Sequence, residues 1–219
     1  MTNGDDILQL WRTHERKLEG QFTINFALLR KMNLDKVARK VNSLVLVKVV
    51  TLVFATVTAI ALMKYTANNW QSTYIAIAGG VLSVWTVGVC AALVHELYHL
   101  LTIDYGQSLA ALQRQLLNIR TTMIGYLRLG VWLAPLHLAC VVLFFDLWFG
   151  IDIIMYGDKM WLVTQVLISV VIMLPLALYA HRKLIPENAD KKWMQKLLQG
   201  NGTQIRDSLN LIREVEEMR

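Results

Sequence analysis

The densest cluster of reactive side chains in this chain is His95-Glu96-Leu97-Tyr98-His99, a literal H-E-x-x-H. On a helix, histidines at i and i+4 share a face and can grip a zinc ion, while the glutamate between them serves as general base on the bound water. A catalytic zinc also needs a third protein ligand at the same level. His137 lies about ten residues, or ~15 Å, inside an apolar stretch and is too deep. His181 ends another apolar stretch at a suitable level, but Arg182 and Lys183 beside it oppose a dication. Two readings of the motif follow. In one, Glu96 is a catalytic base and His95, His99 and His181 hold zinc in a membrane hydrolase. In the other, His and Tyr furnish a polar helix end at a membrane–water boundary, with no metal and no cofactor. The second is the expectation.

Other candidates are weaker. Lys48 lies one turn inside an apolar stretch and can reach back to its polar edge; a transport role would need a paired intramembrane charge, and none is evident. Asp146 is expected to be solvated. Cys90 and Cys140 stand at depths differing by roughly 9 Å, which argues against a bridge. Asn201-Gly202-Thr203 matches a glycosylation acceptor but lies on the wrong side of the membrane for it. No Gly-rich phosphate loop or nucleophile elbow is present.

The elements that would position these groups are helices in a bilayer. The 219 residues are 55% hydrophobic and only 17% charged, with 3 prolines and 2 cysteines, which excludes a disordered chain and a disulfide scaffold. Four stretches reach the roughly 20 apolar residues needed to cross a membrane: 43–63, 74–97, 127–149 and 160–180. The first follows more than forty mostly polar residues, so no cleaved leader is expected. Nineteen of the 22 lysines and arginines fall before the first span, between the second and third up to the junction at Arg128, or after the fourth. By the positive-inside rule both termini and the central segment are cytosolic. The net charge of +6 therefore reflects topology and lipid headgroups, not nucleic acid.

The cytosolic parts carry helical patterns. In residues 1–42, Leu8, Trp11, Leu18, Phe22, Leu29 and Met32 fall on a seam of alternating three- and four-residue steps in which Glu15 and Asn25 are the polar interruptions. Glu15 interrupts this seam, dividing Leu8 and Trp11 from Phe22 and Leu29. Asn33-Leu34-Asp35 is expected to break the helix before span one. In the central stalk, 98–126, Leu109, Leu112, Leu116, Ile119, Met123 and Tyr126 follow a strict 3-4-3-4-3 spacing after the N-cap residue Ser108. One unbroken helix from Ser108 to Phe149, about 63 Å long, is predicted. The tail, 181–219, reads as two helices. One sets Trp193, Met194, Leu197 and Leu198 against Lys191, Lys192 and Lys196; the other repeats Ile205, Leu209, Ile212 and Val215. The apolar stripes are expected to close into one helical assembly, with Phe22 and Leu29 packing on the stalk. In span two, Ala76/Gly80 and Gly88/Ala92 form small-xxx-small pairs that allow close packing on a neighbour, in this chain or in a second copy forming a homo-oligomer.

Leu8, Leu10 and Trp11, the run Lys17-Leu18-Glu19, the run Leu28-Leu29-Arg30-Lys31-Met32-Asn33-Leu34-Asp35-Lys36, and Asn188-Ala189-Asp190-Lys191-Lys192-Trp193-Met194 together resemble an uncharacterised family of four-span bacterial inner-membrane proteins. The resemblance implies fold and bacterial origin and no activity. The layout is also similar in outline to membrane-tethered anti-sigma regulators.

The expectation is thus an all-α, four-span protein of the bacterial inner membrane, not an enzyme, whose cytosolic helices bind a protein partner through Leu8, Trp11, Leu18, Phe22 and Leu29. The zinc hydrolase is the alternative, and a small transporter or channel subunit the third class. The charge asymmetry makes the topology testable: reporters fused at Asn3, Gln113 and Arg219 should all register cytosol, and a signal from the opposite side at any of them breaks this layout.

Overall fold

The computed structural model describes residues 4–189, 191–198 and 203–217. Among them every regular element is helical. The order is α1 (Gly4–Asn68), α2 (Thr73–Leu101), α3 (Leu109–Val131), α4 (His137–Phe149), α5 (Ile153–Tyr156), α6 (Lys159–Leu167), a π-helical segment (Ile168–Met173), α7 (Leu174–Lys183), a 3₁₀ turn (Pro186–Asn188), α8 (Lys192–Leu197) and α9 (Thr203–Glu217). Three helical stretches are long and apolar enough to cross a membrane: Lys31–Asn68, Thr73–Leu101 and Lys159–Lys183. Their outer faces are apolar, with Val50, Val53, Phe54 and Val57 of α1 and Val170 and Val171 of the π segment all exposed. Exposed apolar surface on this scale suits contact with lipid.

Sequence-local chemistry sets several of the boundaries. Ser108 accepts a hydrogen bond from the Ala111 amide and starts α3; Asp152 accepts from Ile154 and Met155 and starts α5; Asp158 accepts from Met160 and starts α6. Gly150 ends α4 in the left-handed region at φ 61°, where a side chain would be strained. The short Asn69–Ser72 connection makes α1 and α2 antiparallel neighbours.

All three prolines mark departures from α-helix. Pro135 lies in the turn between α3 and α4, so the predicted helix from Ser108 to Phe149 is two helices. Proline removes one amide donor and clashes with the carbonyl four residues back. The chain there closes on i→i−3 bonds, Leu133 to Gly130 at 3.1 Å and Ala134 to Val131 at 3.1 Å. Trp85 Nε1 donates to the Leu129 carbonyl at 3.2 Å, giving backbone at the break a side-chain partner. Pro175 follows the π segment, whose wider turn is closed by the Leu174 amide on Ser169 O. Pro186 opens the 3₁₀ turn.

The expected break at Asn33-Leu34-Asp35 is absent: α1 is continuous for 65 residues, about 98 Å. Asn and Asp disfavour helix interiors only weakly, and the next turns are anchored by Val37, Val41 and Leu44, each at most 1% exposed. These three, with Leu100, Ile103 and the Ile205 and Ile212 of α9, cover the α3 stripe of Leu112, Leu116, Ile119 and Met123. Lys40 Nζ reaches Asp207 Oδ2 at 2.8 Å across the α1–α9 contact. Among the described residues the α1 members of this assembly are Val37, Val41 and Leu44, with Leu34 and Val45 packed against it. Leu8, Trp11, Leu18, Phe22 and Leu29 lie outside the residues whose side chains are described; Leu28 and Met32 are 56% and 48% exposed.

A second cluster seats Met194 and Leu198 against Ile124, Leu184 and Ala189. A third, at the opposite end, joins Ile75, Leu82 and Leu143. Both cysteines are free.

The tight glycine of span two is neither Gly80 nor Gly88. A Cβ at Gly80 would meet nothing, and one at Gly88 would make an ordinary 3.9 Å contact, whereas at Gly79 it would fall 2.0 Å from Thr66 Oγ1. Thr66 is held in turn by a 2.8 Å bond to Leu62 O. Gly79→Ala should therefore lower stability in detergent by ~1–3 kcal/mol. Gly80→Ala should be neutral or slightly stabilising. Thermal unfolding of the two variants side by side checks the pair.

Candidate functional site

The H-E-x-x-H residues occupy the last turns of α2, and the helix splits them between two surfaces. Successive residues are 100° apart, so His95 and His99 share one face and Glu96 turns toward α1. His95 is exposed and His99 half-buried; their rings meet edge-on with centroids 4.6 Å apart. Glu96 is wholly buried. Its partner is Lys48 of α1, whose Nζ donates to Oε2 at 3.0 Å and stands 3.0 Å from Oε1, with side-chain exposures of 3% for Lys48 and 0% for Glu96. The ammonium also lies 4.7 Å from the centroid of the Tyr126 ring on α3, close enough for a cation–π attraction. Three helices thus converge on one charge pair.

Lys48 does not reach back to a polar edge as expected, and the sequence reading missed its pairing with Glu96. The available signal was that the chain has one charged residue one turn inside span one and one near the end of span two. Buried charges require partners, and these two were the natural match.

The zinc reading requires Glu96 to be free as a base and His181 to be free as a ligand. Glu96 is engaged by Lys48. His181 has Trp132 Nε1 at 3.2 Å from its Nδ1 and Arg128 Nη2 at 2.9 Å from its Nε2, so both ring nitrogens face donors. Among the described residues no group of three or more His, Cys, Asp or Glu could hold a metal ion. As placed, Glu96 and His181 are each engaged by other side chains.

A second polar cluster lies where the prolines break the helices. His137, at the start of α4, places Nε2 3.2 Å from Gln165 Oε1, and Nδ1 3.1 Å from Ala134 O and 3.3 Å from Ser169 Oγ. Gln165 and Ser169 flank the entry to the π segment. This cluster ties the α3–α4 break to the π-helical break and meets their polar needs together.

At the far end Asp146 is not simply solvated: Tyr65 Oη donates to it. Tyr74 Oη donates to Asp152 at 2.5 Å. Asp152 lies in the connection after α4. Partial desolvation works against its ionised form, but the Tyr74 hydroxyl and the amides of Met155 and Ile154 prevail and hold its carboxyl below the usual range.

Removing one member of the buried pair strands the other charge. Lys48→Met and Glu96→Leu should each cost ~3–5 kcal/mol, while the double variant should recover most of that loss. A double-mutant cycle on thermal stability reads the coupling directly; equal, additive losses would show the two side chains to be independent. Compared with protein-family models, curated proteins and solved structures, the chain matches none.

Proposed function

We propose that this is a four-span protein of the bacterial inner membrane, with both termini and the central stalk cytosolic, which acts without catalysis by presenting its N-terminal helix to a protein partner. The stretch 127–149 is the remaining span; it crosses as α4 together with the last turn of α3, bent at Pro135. The resemblance to an uncharacterised family of four-span inner-membrane proteins, and in outline to membrane-tethered anti-sigma regulators, agrees with this reading.

The observation that carries it is the construction of α1. The helix is anchored from Val37 to Lys48 by the basic-end core and the buried ion pair, yet it continues as helix for about thirty residues beyond that anchor, roughly 50 Å. Where side chains just before the anchor are described, Leu28 and Met32 are exposed. A long helix that leaves its own core with apolar residues outward has the form of a helix-in-groove ligand. Leu8, Trp11, Leu18, Phe22 and Leu29 are its recognition face. The engagement of Glu96 and His181 elsewhere favours this over the zinc hydrolase.

The buried Lys48–Glu96 pair gives the transporter reading a footing it lacked, since ionisable pairs inside apolar helices often mark ion pathways. Flux in proteoliposomes abolished in the Lys48→Met/Glu96→Leu double variant, with the fold retained, would favour that reading.

Leu44→Ala, in the sealed core, should cost ~2–5 kcal/mol. Trp11→Ala should change stability by no more than ~0.5 kcal/mol. It should, however, lose crosslinking from a photoreactive residue at Leu8 to a discrete partner in native membranes. Stability losses of similar size for Trp11→Ala and Leu44→Ala, with no crosslinked species in the wild type, would make this helix scaffold.

A further inference from the structure

The short helix α8 divides its apolar residues between two surfaces. Met194 and Leu198 are buried beneath it, whereas Trp193 and Leu197 are 42% and 52% exposed. Those two, with Leu176 and Tyr179 of α7, line a groove of about 470 Å³ that also takes in Lys183, at the end of the last membrane-length helix, and Lys191, just before α8. The volume falls within the ~300–1,000 Å³ of small-molecule sites. Lys183 lies along Tyr179, its Nζ 5.6 Å from the ring centroid, which directs a cation to the edge of an otherwise apolar trough. Among the described residues no carboxylate lines the groove.

We infer that this groove is a binding site for one anionic phospholipid of the cytosolic leaflet, an acyl chain lying against Leu176, Tyr179 and Leu197 and the phosphate between Lys183 and Lys191. The inference rests on the four-span reading, which puts the end of α7 and all of α8 on the cytosolic face. Three features carry it. The apolar trough is continuous with the lipid-facing surface of α7, where Leu176 and Tyr179 are exposed. Its two cations stand where a transmembrane helix emerges, the depth at which headgroups lie. Trp193 sits beside them, an amphipathic ring of the kind that favours this boundary. A zwitterionic lipid brings a phosphate but also its own ammonium, which competes with the two lysines for that phosphate, whereas an anionic headgroup brings net negative charge; a free phosphate would leave the trough unfilled.

The test uses the full-length protein in detergent, with native mass spectrometry and thermal shift during titration with phosphatidylglycerol or phosphatidylcholine. Wild type should retain phosphatidylglycerol at about one per chain, with at least tenfold preference over phosphatidylcholine. Lys183→Gln/Lys191→Gln should lose that preference. Lys192→Gln/Lys196→Gln removes the same charge from exposed positions that do not line the groove, and it should keep the preference. Leu176→Trp, which fills the trough, should lose retention while both lysines remain. Equal losses in the two lysine pairs would mean diffuse surface attraction and overturn the site, as would equal retention of the two lipids or a dimer whose formation closes the groove. Reporter fusions separate this outcome from failure of the topology: a non-cytosolic Arg219 overturns the membrane layout, whereas lost lipid preference in a correctly oriented protein overturns the site alone.

Discussion

Lys48 and Glu96 are sealed between α1 and α2, and the cost of burying two charges makes their mutual alignment a condition of the fold. Each charge without the other would carry a desolvation penalty of several kcal/mol, so registers that separate them are strongly disfavoured. The pair sits between the antiparallel membrane helices and the basic-end assembly. It sets the register of α1 against α2, and through the Tyr126 ring it reaches α3 as well. Apolar helix faces slide past one another at little cost in a lipid-like setting, because the surroundings are as apolar as the contact. A single ion pair supplies the directional element that such faces lack.

The same scarcity of water explains the placement of the other polar groups. At the Pro135 break the carbonyls of Leu129 and Ala134, which accept backbone bonds from Trp132 and His137, take further side-chain partners in Trp85 Nε1 and the His137 ring. His137 then joins Gln165 and Ser169, making one polar cluster from two local defects. At the far end Tyr65 and Tyr74 meet Asp146 and Asp152. Polar side chains in these helices therefore act mainly as connectors, and the H-E-x-x-H run belongs to the same economy. Its glutamate joins two helices and its histidines lie on another face, His95 exposed and His99 half-buried.

The basic end is built on water-soluble rules. The α3 stripe is amphipathic, and residues 37–44 of α1, the end of α2 and α9 cover it. The lower part of the molecule resembles a small soluble bundle continuous with the membrane helices, and α1 passes through both.

Periodicity and composition by themselves determined the all-helical class, the apolar stretches, the α3 stripe and its Ser108 cap, because each depends on residues a few positions apart. Local signals also misled where packing outweighed them. Asn33-Leu34-Asp35 carries a weak helix-breaking preference, and the burial of Val37, Val41 and Leu44 overrides it. Pro135, one residue among apolar neighbours, was enough to end a helix whose hydropathy ran on unchanged. Only the tertiary structure decided which face of each helix met which neighbour. It chose Gly79 rather than Gly80 for the close approach to Thr66, and it paired Lys48 with a glutamate 48 positions away. It also gave His181 to Arg128 and Trp132 instead of to His95 and His99. The physical reason is the same in each case. Spacing along one helix states which side chains share a face, but the rotation and register of a second helix decide what that face touches.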